Sequence, residues 1–144
     1  MNISVRAAAI EDAHALAELS HQLGYPELSE AASAKNIRII SESDTDIVYV
    51  ALDGDKVIGW IQLSFFVRME SGQFFEICGL VVDEQYRGKG IGKMLIEKGK
   101  EWCRQKGNYR LRVRSNVKRL DTHQFYLKAG FRELKEQKVF ETDL

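Results

Sequence analysis

Residues 80 to 95 read Leu-Val-Val-Asp-Glu-Gln-Tyr-Arg-Gly-Lys-Gly-Ile-Gly-Lys-Met-Leu, a β-branched run that breaks into a glycine loop and restarts at once as an amphipathic segment. A strand, a tight loop and a helix in immediate succession restrict the chain to folds that place a helix N-terminus at a strand end. Gly88, Gly90 and Gly92 admit backbone conformations and close approaches that a Cβ would obstruct. The amides of such a loop and of the first helical turn converge on an anion at the positive end of the helix dipole. Arg87, Lys89 and Lys93 add positive charge, so the segment reads as a phosphate cradle.

Two common phosphate loops do not fit these letters. A Walker A loop requires Ser or Thr after its Gly-Lys pair, whereas Met94 follows Lys93. A dinucleotide fingerprint read from Gly88 requires a third glycine at position 93, which is Lys93. The match is to Arg-x-x-Gly-x-Gly at Arg87, Gly90 and Gly92, directly after Leu80-Val81-Val82. A second segment has Ser115-Asn116-Val117-Lys118-Arg119, then His123-Gln124-Phe125-Tyr126, then Gly130-Phe131. Together and in this order, the two segments resemble the acetyl-CoA pyrophosphate loop and the C-terminal Asn and Tyr-x-x-x-Gly-Phe signature of the GNAT acetyltransferase superfamily.

The bulk properties limit the partners. At 144 residues the chain is read as one domain, residues 1 to 144, large enough to bury a core without disulfides or a structural metal. The 21 basic and 21 acidic side chains cancel, which removes the global attraction that nucleic-acid or membrane binding commonly exploits. No apolar stretch reaches the ~18 residues of a membrane span, and the N-terminus lacks signal-peptide features. The expectation is a cytoplasmic protein. Cys78 and Cys103 have no metal-ligand spacing, so reduced thiols and no metal site are expected.

Periodicity predicts a strand at 2–6, a helix from Ile10 to about Gly24, a second helix over 29–40, and a strand at 47–52. Asp53-Gly54-Asp55-Lys56 turns into a strand at 57–67, and a turn at 68–72 leads to the strand 74–82. The following helix presents Ile91, Met94, Leu95 and Trp102 on one side, with Gly99 allowing close packing on the sheet, and stops at Gly107-Asn108. Leu111 to Arg114 reads as a strand, 120–129 as a helix closed by Gly130, and Phe131–Leu134 with Lys138–Glu141 as a terminal hairpin. The pattern alone establishes mixed α/β. The resemblance adds the GNAT acyl-CoA N-acyltransferase fold, a central, mostly antiparallel sheet splayed between its fourth and fifth strands, with flanking helices.

The resemblance also implies roles. Amides of Leu80, Val81 and Val82 would bind the pantetheine of acetyl-CoA as an added strand, and Arg87, Gly88, Lys89, Gly90, Ile91, Gly92 and Lys93 would hold its pyrophosphate. Asn116 would bond the cofactor arm, and Tyr126 would lie against the thioester sulfur as general acid; read by spacing alone, Tyr126 is a core tyrosine. Glu76 interrupts the apolar run Phe74-Phe75-Glu76-Ile77-Cys78, where a carboxylate is costly unless it is paired or reaches a cleft. It would deprotonate the acceptor ammonium through water or bind it, the alternative being an exposed face of an edge-like strand. His123, three residues before Tyr126, would orient the phenol or line the acceptor site. Tyr25 and Glu27 sit in the loop that covers the acceptor in this superfamily, with His21 flanking it. Cys78 shares the strand parity of Glu76, but direct transfer in a ternary complex requires no enzyme nucleophile.

Arg110, Arg112 and Arg114 alternate along one strand face and are expected to pair with surface carboxylates, or otherwise to meet the CoA 3′-phosphate or an acidic acceptor. Relatives that acetylate peptide termini usually carry a Glu before the Ser-Asn pair, where this chain has Leu111-Arg112-Val113-Arg114. The Asn116 to Tyr126 spacing looks more like the branch with aminoalkylphosphonate and aminoglycoside acetyltransferases. The resemblance therefore implies transfer from acetyl-CoA to a small-molecule primary amine, with a homodimer by analogy. A protein or peptide acetyltransferase, and a non-catalytic acyl-CoA sensor, stand as alternatives.

Overall fold

The computed structural model describes residues 1–107 and 110–144, which form two compact units, Met1–Val113 and Arg114–Leu144. The expected helix stop at Asn108 lies outside the described residues.

In the first unit, strand β1 (Ile3–Ala7) is followed by helices α1 (Ala13–Leu23) and α2 (Glu30–Ser41). Strands β2 (Asp46–Asp53), β3 (Lys56–Arg68) and β4 (Gly72–Val82) form a meander, helix α3 (Ile91–Lys106) comes next, and β5 (Arg110–Val113) closes the sheet. The spatial order is β1-β2-β3-β4-β5, with β1 to β4 antiparallel and β5 parallel to β4. Local chemistry sets the element ends. Ser29 accepts a hydrogen bond from the Ala32 amide to start α2, and Gly24 ends α1 at φ +110°.

The alternating positions of the strands sort onto two faces. Val48, Val50 and Leu52 pack with Ala13, Leu16 and Ile37, so α1 and α2 cover one face. On the other face the Phe75 ring meets Trp102 of α3 edge-on at 5.4 Å, and Lys98 stands 5.5 Å from the Tyr49 ring. Gly99 lets α3 approach here, since a Cβ at that position would lie 2.8 Å from a Leu63 methyl. Met94, expected on the buried side of this helix, is instead 41% exposed, and Ile96 and Cys103 are buried. The stripe that meets the sheet is Ile91, Leu95, Ile96, Gly99, Trp102 and Cys103, and position 94 falls just outside it.

Two irregularities mark the upper part of β4 within the first unit. Gln62 faces Gly79 while Leu63 faces Ile77, so Cys78 is the extra residue of a β-bulge. The Cys78 thiol meets Ser64, the residue opposite Glu76, so Cys78 keeps the face of Glu76, simple alternation is lost only from Gly79 onward, and the Cys78 side chain is exposed. The pairing of β4 with β5 covers only Phe74 to Ile77, so β4 runs on to Val82 beyond the end of its parallel partner.

The second unit contains α4 (Leu120–Lys128), which ends at Gly130 with φ +96°. No residue of α4 is fully buried. The expected hairpin of Phe131–Leu134 and Lys138–Glu141 does not form, and residues 131–144 have no regular secondary structure. Leu134, Val139 and Phe140 are 59%, 86% and 87% exposed, so the alternation that suggested strands has no buried face to reward it.

Candidate active site

The first unit assembles the strand edge and the glycine loop as one continuous feature. The Asp83 amide donates to Ile58 O at 2.8 Å, and the Asp83 carboxylate then accepts from the Gln85 amide at 3.0 Å. This turns the chain out of the sheet into a short 3-10 turn over Glu84–Tyr86. The turn is tied down twice. The Glu84 amide donates to the Gln22 side chain at 3.0 Å, and the Tyr86 hydroxyl donates to Asp53 at 2.8 Å. Arg87 then folds back to donate to Val82 O at 3.3 Å.

Gly88 and Gly90 adopt φ of +77° and +82°, a region that disfavours other residues. The Met94 amide donates to Gly90 O at 3.1 Å and opens the helical ladder, so helix geometry leaves the amides of Ile91, Gly92 and Lys93 without intrahelical acceptors. They face the positive end of a 16-residue helix dipole. Lys89 and Lys56 each stand 5.4 Å from the Tyr86 ring and raise the local positive charge. Such a set of donors and cations suits a pyrophosphate.

Glu76 is buried at 9% exposure, which rules out the solvated-face alternative. It lies on the α1 and α2 face, because its neighbour Phe75 points to α3. The strand registers place Asp46, Ser64, Glu76 and Arg112 in one row across four strands. Ser64 donates to Asp46, whose other carboxylate oxygen accepts from Ser43 at 2.7 Å and Thr45 at 2.9 Å. Burial alone would raise the Asp46 pKa, but these three hydroxyls outweigh it and hold the carboxyl below its usual value. The Cys78 thiol donates to Ser64 at 3.3 Å, so the same chain of bonds pins the bulge. A Cβ at Gly79 would lie 2.5 Å from the Trp60 ring, which therefore covers the strand just above.

Tyr25 and Glu27 are exposed on the loop between α1 and α2. The Gln22 bond to Glu84 brings the start of this loop beside the start of the glycine loop. His21 bonds Leu28 O at 3.0 Å and is occupied with shaping that connection.

In the second unit, the Asn116 side chain accepts from the Lys118 amide at 3.0 Å and keeps its amide NH2 for other acceptors. His123 bonds Asn116 O at 2.8 Å, so the structure joins His123 to the asparagine turn. The Tyr126 ring lies edge-on to Phe125 and Phe131, at 5.3 and 5.5 Å. Burial pushes the Tyr126 phenol up to about 12, against a smaller downward pull from Arg119. It therefore stays protonated throughout the neutral range.

Sequence reasoning missed Asp46, Ser64 and Trp60. Ser64 has a signal, a lone hydroxyl in the apolar run Ile61–Val67, whereas the row that joins it to Glu76 depends on register. The expected carboxylate partners of Arg110 and Arg112 are also absent among the described residues. Arg110 bonds Ser71 O, and Arg112 lies over the Phe74 ring at 4.2 Å from its centroid. Arg114 donates to the Gln137 side chain at 3.1 Å. No group of three or more potential metal ligands occurs among the described residues, and no described helix is long and apolar enough to cross a membrane.

A strand that outruns its parallel neighbour and feeds a cationic glycine loop at a helix start is the arrangement expected of an acyl-CoA binder. The chain belongs to the acetyltransferase (GNAT) family, whose model matches residues 10–131. An aminoalkylphosphonate N-acetyltransferase of Salmonella typhimurium is 34% identical over 92 residues, covering 62% of this chain and 60% of the relative. The matched stretches span 60%, 46% and 42% of three curated relatives. Among solved structures, an acetyltransferase of Trypanosoma brucei aligns at TM-score 0.80 and 27% identity, covering 98% of this chain and 100% of that one. The aminoglycoside N-acetyltransferase AAC(6')-Iy in complex with CoA shares the fold, at TM-score 0.87 and 18% identity over 99% of this chain and 96% of its own.

Proposed function

We propose that this protein transfers an acetyl group from acetyl-CoA directly to the primary amine of a small molecule, within a ternary complex. The observation that carries the reading is the stretch of β4 beyond its pairing with β5, running without interruption into the cradle at 87–93. An unpaired strand edge offers main-chain hydrogen bonds to an extended ligand. The pantetheine amides supply complementary groups, so Leu80, Val81 and Val82 hold that arm while the loop and the first turn of α3 hold the pyrophosphate. Family membership and the CoA-bound fold relative support this assignment.

The reaction joins the amine nitrogen to the acetyl carbon and breaks the carbon–sulfur bond, and one amine proton ends on the thiol. Glu76 accepts the proton of the incoming ammonium, directly or through water, or binds the ammonium until it is released. A strand amide polarises the carbonyl as negative charge develops on its oxygen. Tyr126 serves the departing sulfur. With a phenol pKa of about 12 it is protonated at neutral pH and is present as the general acid. It donates its proton to the departing thiolate and regains one from the proton that the nitrogen sheds on becoming an amide. Asn116 steadies the cofactor arm, and Tyr25, Glu27 and His123 contribute to acceptor recognition.

The test is acetyl-CoA-dependent CoA release with a panel of small amines, aminophosphonates, aminoglycosides and N-terminal peptides, with calorimetric cofactor binding in parallel. Turnover on a small amine is the expected result. Turnover confined to peptides would move the acceptor to proteins, and tight binding without turnover on any amine would indicate a sensor.

A further inference from the structure

We propose that Ser64, oriented by Asp46, is a positioning residue for the reaction: through Cys78 it fixes the bulge of β4 and so aims the upper part of that strand at the cofactor arm. The inference rests on the acetyltransferase reading and deepens it, because Leu80, Val81 and Val82 follow directly on the bulge.

Ser64 lies buried at 5% exposure in the middle of the sheet, opposite Asp46 of β2 and Glu76 of β4. A buried hydroxyl is costly unless it is hydrogen-bonded, so its partners account for its presence. It has one proton to give and lone pairs to accept with. Asp46 takes the proton. Its carboxylate accepts from Ser64, Ser43 and Thr45, and these hydroxyls outweigh the burial that would raise its pKa, so it stays ionised and can only accept. With that proton committed, the Ser64 oxygen is left as an acceptor, and the Cys78 thiol donates to it at 3.3 Å. The chain of donors therefore runs one way, from Cys78 through Ser64 to Asp46. The same thiol also reaches Glu76 O at 3.7 Å, on the near side of the bulge.

Cys78 is the extra residue where the register passes from Leu63 opposite Ile77 to Gln62 opposite Gly79. An extra residue has no opposite number on the neighbouring strand, so the backbone ladder alone sets its conformation loosely. The bond to Ser64 supplies the missing restraint. At the next residue the Trp60 ring closes in, since a Cβ on Gly79 would lie 2.5 Å from it. A bulge re-aims the chain that follows it, so this one decides where the main-chain groups of Leu80 to Val82 point. A displacement of about 1 Å at the reacting groups is enough to cost about 100-fold in rate.

The experiment measures CoA release by the full chain with the best amine of the acceptor panel. In parallel, calorimetry follows binding of acetyl-CoA and of adenosine 3′-phosphate 5′-diphosphate, the nucleotide end of the cofactor without its pantetheine arm. In Ser64→Ala, kcat/KM for acetyl-CoA is expected to fall about 10- to 100-fold while affinity for the nucleotide stays at the wild-type value. Ser64→Thr, which keeps the hydroxyl, recovers part of the loss. Cys78→Ala lowers kcat/KM in the same sense, and combining it with Ser64→Ala costs little more, because the two residues act as one unit. Should Ser64→Ala fail to fold, Cys78→Ala decides the matter, since it leaves Ser64 and Asp46 paired. Weakened binding of both ligands in parallel would make Ser64 a support of the whole fold, and unchanged transfer in Cys78→Ala would break the link through the bulge. Either result overturns the inference and leaves the acetyltransferase reading intact. Wild-type protein that releases no CoA with any amine removes that reading, and the inference with it.

Discussion

The two halves of β4 are one strand put to different uses. From Gly72 to Ile77 it pairs with β3, and over Phe74 to Ile77 also with β5; Phe74 and Phe75 are essentially inaccessible there. From Cys78 to Val82 the sheet supplies only β3 as a neighbour, and Cys78 is exposed. The bulge at Cys78 separates them. The lower half is over-determined by packing, so it can hold a buried carboxylate in place; the upper half leaves main-chain groups for a ligand. The rigid half thereby pre-organises the open one.

Substitutions can break this contrast, and Glu76→Gln is the strongest. It keeps the shape of the lower half while removing its proton acceptor, and kcat should fall about 10²- to 10⁴-fold in steady-state assays with acetyl-CoA affinity nearly unchanged. Phe75→Ala attacks the packing itself. It removes a ring that meets Phe65 at 5.1 Å and Trp102 at 5.4 Å, and denaturant unfolding should show a loss of about 3–5 kcal/mol. Tyr126→Phe should lower kcat by about 10²-fold while calorimetry finds acetyl-CoA still bound. Because the phenol lies at about 12, the wild-type kcat profile should show no alkaline limb from this group below about pH 11.

Gly90→Val addresses the open half alone. A β-branched residue is strained at φ +82°, so cofactor Kd should rise about tenfold while the sheet remains folded. The smallest effect concerns acid stability. Asp12 and Asp46 have pKa values below those of the unfolded chain: burial would raise each, but bonds from Arg6 and the Ala9 amide, and from three hydroxyls, prevail. Their contribution is therefore complete above about pH 4 and is lost as pH falls through the lower folded-state values. Thermal melts from pH 7 to 3 should fall less steeply for Asp46→Asn than for the parent, by an amount on the order of 1 kcal/mol.

The open half was the more legible in sequence. Glycines at 88 and 90 are required by their left-handed φ, cations surround them, and a β-branched run precedes them, so letters and geometry are directly linked. The location of Glu76 was legible too, because a carboxylate in an apolar run needs a reason to be there. What escaped was relational. The row Asp46–Ser64–Glu76–Arg112 depends on the registers of four strands, and a one-residue bulge at Cys78 undoes parity arguments across it. The terminal hairpin misled for a related cause: alternation in Phe131–Glu141 marks strand-like side chains, but a strand also needs a neighbour. The arginine stripe was visible as a face, whereas its stacking on Phe74 is a property of packing.

The most direct test of the account is amide hydrogen exchange of the full chain with and without acetyl-CoA, read residue by residue. Added protection is expected at Leu80 to Val82 and through residues 87–93, with no change at Phe74 to Ile77, whose amides are already held by the sheet. Binding that protects neither segment, or protects both halves of β4 equally, would contradict the claim that the open half and its glycine loop form the cofactor site.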